Sequence, residues 1–275
     1  MKEPILVDKC DFSFTIQGEH IKLDYALITV HGTPGENGLL QGYLDLVGVP
    51  YNTGGTLTEA LTFNKYYCNR YLSTYPNLRV ADSIRLLRNA TRPSSEELIK
   101  RLGLPLFAKP NAGGSSVATS KVESLEALDK AVALAFDECD EVLLERFIAG
   151  TEVTCGCYRI GDTITALPVT EVVPKNSFFD FEAKYNGAVE EITPARISPE
   201  LTAQIQELTR EIYQHVDARG IIRVDYIIEA DGRPTLLEVN TTPGMTPTSF
   251  IPQQVKAAGL TMQDLLTDLI QDHLS

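Results

Sequence analysis

The order of hydrophobic and polar positions changes period several times along the chain, which predicts a mixture of strands and helices. Alternating or continuous apolar runs predict strands at 12–16, 20–30, 103–110, 141–148, 151–159 and 163–173. Apolar positions with helical spacing predict helices at 39–48, 57–74, 94–102, 125–136, 198–216 and 262–274. Ser94, Ser198 and Thr261 stand at cap positions of three of these helices. With antiparallel hairpins concentrated in the second half, the pattern indicates an α/β (α+β) fold.

A hairpin late in the chain separates an apolar face from a polar one. Segments 220–229 and 234–240 are expected to pair about an Asp231-Gly232 turn. Because strand side chains alternate, one face of this hairpin is expected to carry Arg223, Asp225, Glu238 and Asn240. The other face is expected to enter a core through Val224, Tyr226, Ile228, Leu237 and Val239.

The polar face of this hairpin has the chemistry of a metal site. The predicted register places Asp225 opposite Glu238 and Arg223 opposite Asn240. The two carboxylates and the amide offer oxygen ligands, which Mg²⁺ prefers and commonly combines with substrate phosphates. The hydroxyl-rich segment 241–249 after the second strand favours this interpretation, because loops at strand ends often hold substrate. The alternative is a solvated outer sheet face with a cross-strand ion pair.

Composition excludes several classes of protein. The chain has 275 residues, with 24 lysines and arginines against 37 acidic residues, and its formal charge of -13 opposes nonspecific binding to nucleic acid or anionic lipid. No apolar run is long enough for a membrane span or a signal peptide, so a cytoplasmic protein is expected. The five cysteines show no CxxC spacing, and Cys155 and Cys157 are expected in a core rather than at a metal.

Two further segments are candidates for contact with an anionic ligand. Lys109 ends a predicted strand and is followed by the glycine-rich turn 113–116, whose backbone N–H groups can form an anion cradle. A salt-bridged surface lysine is the alternative for Lys109, and the turn is neither a Walker A motif nor a GxGxxG fingerprint. Segment 178–187 is both aromatic and polar, which fits either a packed loop or a mobile cover over a site.

Five segments together are specific enough to indicate a family. They are HGTPGENGLLQGYLDLVGVPY (31–51), KPNAGGSSV (109–117), LLERFIAGTEVT (143–154), FFDFEAKY (178–185) and RVDYIIEADGRPTLLEVNTTPGMTPTSF (223–250). In this order they resemble the D-alanine:D-alanine ligases of the ATP-grasp superfamily. The resemblance implies an ATP-grasp fold of two α+β subdomains, preceded by a truncated, Rossmann-like N-terminal lobe. The ranges expected are 1–54 for that lobe, 55–148 for the central subdomain, and 149–275 for the C-terminal subdomain with the metal and substrate site.

The resemblance also implies a reaction and its cofactors. One D-alanine carboxylate attacks the γ-phosphate of ATP to give ADP and an acyl phosphate, and the amine of a second D-alanine displaces phosphate, yielding D-alanyl-D-alanine for peptidoglycan synthesis. ATP and two Mg²⁺ ions are expected, with Mn²⁺ as a substitute. The implied metal ligands are Asp225, Glu238 and Asn240. The implied ATP contacts are Lys65, Lys109 and Lys184 at the phosphates with Gly114 and Ser116 of the loop that covers them, Glu145, Arg146, Phe147 and Ile148 at the adenine, and Glu152 at the ribose.

The remaining implied residues belong to catalysis and substrate binding. Arg223 and the backbone N–H of Gly244 match the groups that stabilise the oxyanion of the tetrahedral intermediate. Ser115 and Tyr185 match a hydrogen-bonded pair that ties the glycine loop to the lid, and Tyr185 favours an amine acceptor over a hydroxy acid. The implied substrate contacts are His31 and Glu36 near the first D-alanine, and Ser249 at the carboxylate of the second.

The chain departs from the family pattern at several places. Ala112-Gly113 replaces the usual Arg-Glu of the loop, and Phe179 and Phe181 replace tyrosines of the lid. Nothing before His31 resembles the first strand and glycine-rich loop of the family, so the first βα unit is expected to be absent. Two hypotheses therefore stand beside a working ligase: a remnant that binds ATP and Mg²⁺ without ligating, and a carboxylate-amine ligase for another acceptor. The family dimerises through its N-terminal lobe, so a homodimer is expected if that surface is retained.

Overall fold

The structure, a computed structural model, describes residues 5–114, 117–174 and 189–274. Four predicted site residues lie outside these ranges: Ser115, Ser116, Lys184 and Tyr185. Two antiparallel sheets carry most of the architecture within the described ranges. No helix in this part of the chain is both long enough and apolar enough to cross a membrane.

The first hairpin is shorter than the sequence predicts. Strands β1 (Phe14–Ile16) and β2 (Glu19–Ile21) pair around a two-residue turn of positive φ. The predicted continuation of the second strand to residue 30 is wrong. There the backbone finds its partners outside a sheet ladder, since Ile28 donates to and accepts from the Asn52 side-chain amide, at 2.5 and 3.1 Å.

Three short helices follow where the sequence predicts two. Helix α1 (Leu39–Val47) is confirmed, whereas the second predicted helix is divided into α2 (Thr56–Phe63) and α3 (Lys65–Leu72). Asn64 makes the division, because its backbone is extended and its side-chain oxygen accepts a hydrogen bond from the backbone N–H three residues on. Lys65 consequently lies in the first turn of a helix rather than in the interior of a long one.

A four-stranded sheet forms the central part of the chain, in the order β3-β6-β4-β5. Its strands are β3 (Ser83–Leu87), β4 (Leu106–Pro110), β5 (Ser120–Val122) and β6 (Glu141–Arg146). Helices α4 (Ser95–Leu102) and α5 (Leu125–Glu138) share one apolar core with this sheet. Neither β3 nor β5 was predicted. β5 has only three residues, too few to show alternation, whereas β3 does alternate and buries Ile84 and Leu86.

A second sheet, of six strands in the described ranges, has the order β10-β9-β7-β11-β12, with β8 paired to β7. Its strands are β7 (Thr151–Ile160), β8 (Thr163–Ala166), β9 (Thr170–Pro174), β10 (Val189–Ile192), β11 (Ile221–Ile228) and β12 (Pro234–Asn240). One face packs on α6 (Pro199–His215), and the other on α7 (Phe250–Ala257) and α8 (Met262–Leu274). The caps predicted at Ser94, Ser198 and Thr261 are all formed.

The β11–β12 hairpin has the predicted register at its polar end. Asp225 pairs with Glu238, and Arg223 pairs with Asn240. The mixed α/β architecture predicted from the sequence is therefore confirmed, together with the pairing that brings the candidate metal ligands onto adjacent strands.

The turn of this hairpin differs from the predicted one. The backbone N–H of Glu229 donates to the Arg233 carbonyl, so the loop contains three residues and ends with Gly232 at positive φ. A β-bulge at Leu237 restores the predicted register beyond it. As a result, Leu236 takes the core position predicted for Leu237, and Leu237 lines a cavity instead.

Helix α3 packs on the second sheet. Cys68 and Leu72 of α3 belong to the same core as Val239 of β12. This core joins the helix that begins with Lys65 to the strand that carries Glu238. Cys155 lies in this core as predicted, and burial raises the pKa of its thiol to about 12. The division of the chain into a lobe and two subdomains, with boundaries after residues 54 and 148, stays a prediction.

Glu59 of α2 is a fully buried carboxyl that no pattern in the sequence indicates. Its exposed fraction is 0%, and its Oε2 accepts a hydrogen bond of 2.5 Å from Thr241 Oγ1, directly after β12. Burial raises the pKa of Glu59 to about 8, although the Thr241 hydrogen bond opposes the shift. The side chain is therefore a neutral acid near pH 7 and links α2 to the end of β12.

This buried acid makes stability depend on pH. Between about 4.5, the ordinary pKa of Glu59, and about 8, its folded-state pKa, the unfolded chain has lost a proton that the folded chain keeps. Stability therefore falls as pH rises through this window, by at most about 1.4 kcal/mol per pH unit from this group. Glu59→Gln removes this dependence. In urea unfolding, the free energy of unfolding of the variant relative to the wild type should therefore increase from pH 5 to pH 7.5. A difference between the two proteins that does not change with pH would contradict this assignment.

Candidate active site

A cavity of about 610 Å³ lies between the two sheets. Its walls come from β4 and the end of β6 on one side, and from β9, β11 and β12 on the other. Lys65, Lys109 and Glu238 line it, together with Gly113 and Gly114 of the glycine-rich turn. Elements that are distant in sequence therefore bring most of the described candidate ligand contacts to one place.

The end of β6 and the residues that follow it form one end of the cavity. Glu145, Arg146, Phe147 and Ile148 all line it, as does Glu152 at the start of β7. The Phe147 ring centroid lies 5.9 Å from that of Phe107 on β4. The structure thus brings together all five residues that the resemblance assigns to adenine and ribose, in a partly aromatic slot suited to a flat ring system.

Two lysines supply positive charge to the cavity. Lys109 is buried, and its Nζ lies 2.7 Å from Glu145 Oε2, so the lysine is held by an ion pair. Lys65 Nζ donates to the carbonyl of Gly113 at 2.6 Å. Burial lowers the pKa of Lys65, while the Glu238 carboxylate opposes that shift. An anion placed beside Lys65 would raise its pKa again and keep the ammonium charged.

The polar face of the β11–β12 hairpin is a connected charge network. Arg223 donates to both oxygens of Asp225, each at 2.8 Å. Asn240 Nδ2 lies 3.2 Å from Asp225 Oδ2 and 3.5 Å from Glu238 Oε1, so one amide reaches both carboxylates. Burial alone would lower the pKa of Arg223, but the Asp225 carboxylate raises it above its ordinary value. The guanidinium is therefore permanently charged beside the predicted metal ligands.

The donor set of this network fits a hard divalent ion. Asp225 and Glu238 offer carboxylate oxygens on paired positions of adjacent strands, and rotation of the Asn240 amide presents its Oδ1 in place of Nδ2. No group of three or more His, Cys, Asp or Glu side chains suited to a metal occurs in the described ranges. Two carboxylates and an amide suit Mg²⁺, which keeps other oxygen ligands, better than a structural zinc.

Glu36 connects this network to the N-terminal residues. A small recess beside the main cavity is lined by Glu36, Lys65, Glu238 and Asn240. Glu36 Oε2 accepts a hydrogen bond from Gly32 N at 2.5 Å, and its Oε1 lies 3.8 Å from His31 Nδ1. Both predicted contacts of the first substrate therefore lie together, with Glu36 next to the candidate metal ligands.

Gly244 and Ser249 lie in the turn that follows β12. A Cβ on Gly244 would meet Ser249 Oγ at 2.7 Å, so glycine permits the close approach of the two residues. Ser249 begins α7, yet its hydroxyl makes no capping bond and lies 2.8 Å from Thr246 Oγ1. The next residue, Phe250, has its ring 5.2 Å from the Arg223 guanidinium carbon, which places this turn beside the charge network.

Two residues of the site were not predicted from the sequence. Thr154 Oγ1 on β7 donates to Asp225 Oδ1 at 2.6 Å, and Glu171 on β9 lines the cavity while bound by Arg196 at 2.8 and 2.9 Å. Both depend on the lateral order β9-β7-β11, which spacing along the chain does not reveal. The roles of Ser115, Ser116, Lys184 and Tyr185 stay predictions, as these residues lie outside the described part.

Comparison with known proteins gives concordant matches. Residues 75–271 match the family profile described as "D-ala D-ala ligase C-terminus". A D-alanine–D-alanine ligase of Porphyromonas gingivalis is 65% identical over 98% of this chain and 81% of its own length, and that of Parabacteroides distasonis is 58% identical over the same shares. Among solved structures, D-alanyl-alanine synthetase A of Vibrio cholerae has a TM-score of 0.86 at 25% identity, covering 98% of this chain and 82% of its own. The VanG D-Ala:D-Ser ligase of Enterococcus faecalis has a TM-score of 0.84 at 33% identity, covering 98% and 79%.

Removal of one carboxylate should remove the metal site. We expect Glu238→Ala to weaken Mn²⁺ binding in the presence of ADP by at least about 10-fold, since two-carboxylate sites depend on both charges. Electron paramagnetic resonance of free Mn²⁺ measures this directly. Asp231→Asn, at the exposed turn of the same hairpin, is the matched control and should bind as the wild type does. Unchanged Mn²⁺ affinity in Glu238→Ala would exclude the hairpin from the metal site.

Proposed function

The chain belongs to the D-alanine–D-alanine ligase family, and from that premise we propose which of its residues serve each step of the reaction. It is an ADP-forming ligase that joins two D-alanines for peptidoglycan synthesis, using ATP and a divalent metal ion. The observation that carries the residue assignments is convergence: α3, both sheets and the glycine-rich turn contribute lysines and carboxylates to one cavity.

The adenosine moiety of ATP is proposed to lie against Phe107 and Phe147, which together line one end of the cavity. Backbone groups of the 145–148 segment would meet the edge of the adenine, and the Glu152 carboxylate would accept hydrogen bonds from the ribose. Support comes from the position of all these residues on the cavity wall. A slot with apolar faces and a few polar groups at its edge is typical of nucleotide sites.

Lys65 and Lys109 are proposed to neutralise the ATP phosphates, together with the glycine-rich turn at Gly114. Phosphoryl transfer depends mainly on positioning and charge neutralisation, which these two ammonium groups can supply. Lys109 already forms an ion pair with Glu145 at 2.7 Å, so a phosphate would add a second anionic partner. Lys184 is proposed to add a further positive charge at the γ-phosphate.

Asp225, Glu238 and Asn240 are proposed to hold two Mg²⁺ ions. Bound there, the metal would supply charge neutralisation between the β- and γ-phosphates. The protein itself prepares the ligands: Thr154 and Arg223 fix both oxygens of Asp225, and strand pairing fixes Glu238 directly opposite. Because these contacts orient the carboxylates in advance, the ligands need little rearrangement when the ions bind.

Arg223 and the Gly244 backbone N–H are proposed to stabilise the tetrahedral intermediate that forms when the second amine attacks the acyl phosphate. The guanidinium is held in place by two hydrogen bonds to Asp225 and by contact with Phe250. A donor preset for the developing oxyanion is typically worth about 10²- to 10³-fold in rate. His31 and Glu36 are proposed to face the first D-alanine, and Ser249 to bind the carboxylate of the second.

The activity itself has a direct test. Purified protein with ATP, Mg²⁺ and D-alanine should release phosphate and D-alanyl-D-alanine in equal amounts, detected by coupled assay and mass spectrometry. Parallel reactions with D-serine or D-lactate as acceptor test the alternative ligases, and a dominant mixed product would revise the acceptor assignment. ATP binding without amino-acid-dependent turnover would support the non-ligating remnant instead.

Ser249→Ala tests the acceptor site without harming the helix that follows. Because Ser249 Oγ makes no capping bond, its loss should leave stability nearly unchanged. Loss of a hydrogen bond to a charged carboxylate costs about 1.5–3 kcal/mol, so the KM for the second D-alanine should rise about 10- to 100-fold while the KM for ATP stays within about 2-fold. Thr248→Ala, the neighbouring exposed hydroxyl, is the control. Equal kinetics for both variants would remove Ser249 from the substrate site.

A further inference from the structure

The beginning of helix α3 is closed by a residue far away in sequence. The first four backbone N–H groups of an α-helix have no partners inside it and must find them elsewhere. In α3, Lys65 N donates to the Asn111 carbonyl at 3.0 Å and Tyr66 N donates to Asn111 Oδ1 at 2.8 Å. Asn64 Oδ1 accepts from Tyr67 N at 3.0 Å, and the Asn64 carbonyl accepts the first intrahelical bond, from Cys68 N at 2.9 Å. The cap is therefore shared between a local residue and one directly after β4.

Asn111 makes three side-chain hydrogen bonds in this arrangement. Its side chain is 0% exposed, and its Nδ2 donates both to Asn64 Oδ1 at 2.9 Å and to Glu141 Oε2 at 2.7 Å. Its backbone N–H donates to the Glu141 carbonyl at 2.9 Å. Both N–H groups of the side-chain amide are used and its Oδ1 accepts from Tyr66 N, which fixes its orientation and makes substitution costly.

The two asparagines lie next to the groups proposed to meet phosphate. Asn64 directly precedes Lys65, and Asn111 follows Lys109 by two residues and precedes the glycine-rich turn. Asn64 also forms a β-bridge with Ala112, and Lys65 Nζ reaches the Gly113 carbonyl at 2.6 Å. The backbone N–H groups of residues 65–68 all have acceptors within the protein, so none of these four is free to bind a phosphate. At the start of α3, contact with phosphate therefore depends on the Lys65 ammonium group.

We propose that the Asn64–Asn111–Glu141 hydrogen-bond network is a positioning device for ATP, which sets Lys65 and the start of the glycine-rich turn at a fixed separation before the nucleotide binds. Asn64 and Asn111 are positioning residues that act through Lys65 and the turn. The inference rests on the proposed role of Lys65 at the ATP phosphates. It goes beyond that role by assigning the preorganisation of the phosphate site to two uncharged residues on different elements.

A local cap elsewhere in the chain supplies a matched control. Ser94 Oγ accepts a hydrogen bond from Glu97 N, and Glu97 Oε2 accepts one from Ser94 N. Helix α4, which this pair caps, carries none of the candidate site residues. Loss of either cap, in Asn64→Ala or Ser94→Ala, should cost about 1 kcal/mol of stability. A purely structural role for Asn64 predicts that both variants bind ATP equally well.

The positioning role predicts a different result from calorimetric titration with ATP and Mg²⁺. Asn64→Ala and Asn111→Ala should raise the Kd for ATP about 10-fold or more, whereas Ser94→Ala should leave it within about 2-fold. Asn64→Asp keeps the acceptor oxygen that serves Tyr67 and Asn111, so it should restore most of the affinity. In the ligase assay, the KM for ATP should rise in the two alanine variants while the KM for D-alanine stays within about 2-fold.

Two outcomes separate this inference from the function on which it rests. If Lys65→Ala weakens ATP binding but Asn64→Ala and Asn111→Ala bind like Ser94→Ala, the network is only structural and the inference is wrong. If Lys65→Ala itself leaves the Kd for ATP unchanged, the assignment of Lys65 to the phosphates fails first. Circular dichroism melting of each variant shows that the protein is folded at the temperature of the titration.

Discussion

A buried charge needs a partner, and this constraint organises the whole site. Taking an ion out of water costs several kcal/mol unless an opposite charge or strong hydrogen bonds replace the water. Lys109 is accordingly paired with Glu145, Arg223 with Asp225, and Lys65 with the Gly113 carbonyl. In a chain with a formal charge of -13, these cations are held where phosphate is proposed to bind, and ligand binding adds to or exchanges partners that already exist.

Strand pairing determines where the charged groups of the site lie relative to one another. The β11–β12 register sets Asp225 opposite Glu238, and β7 adds Thr154 from the other side. The opposite face of the same strands enters a core shared with α3, so the helix that begins at Lys65 is tied to the strands that carry the carboxylates. The central sheet supplies Lys109 and the residues proposed to contact adenine across the cavity. The site is thus assembled where two separately packed units meet, as is common for nucleotide sites.

Much of this could be predicted from the sequence, because alternation and turn residues determine local pairing. The register of Asp225 and Glu238 was predicted correctly although the turn was not, since the longer loop and the bulge at Leu237 cancel. The break at Asn64 was missed, because the apolar spacing continues through it and only the side-chain cap reveals it. Thr154 and Asn111 were missed for a different reason: their partners lie 71 and 47 residues away, and no local pattern encodes such contacts.

The central claim is that the paired carboxylates of the hairpin, supported by Arg223, form the metal end of a nucleotide site. Crystals grown with Mn²⁺ and a non-hydrolysable ATP analogue would test it most directly, through anomalous difference density. The account predicts manganese peaks bound by Asp225, Glu238 and Asn240, with the γ-phosphate of the analogue on the same ions and Lys65 and Lys109 beside it. Manganese and triphosphate bound elsewhere, with the Arg223–Asp225 pair and Glu238 left without metal, would contradict it.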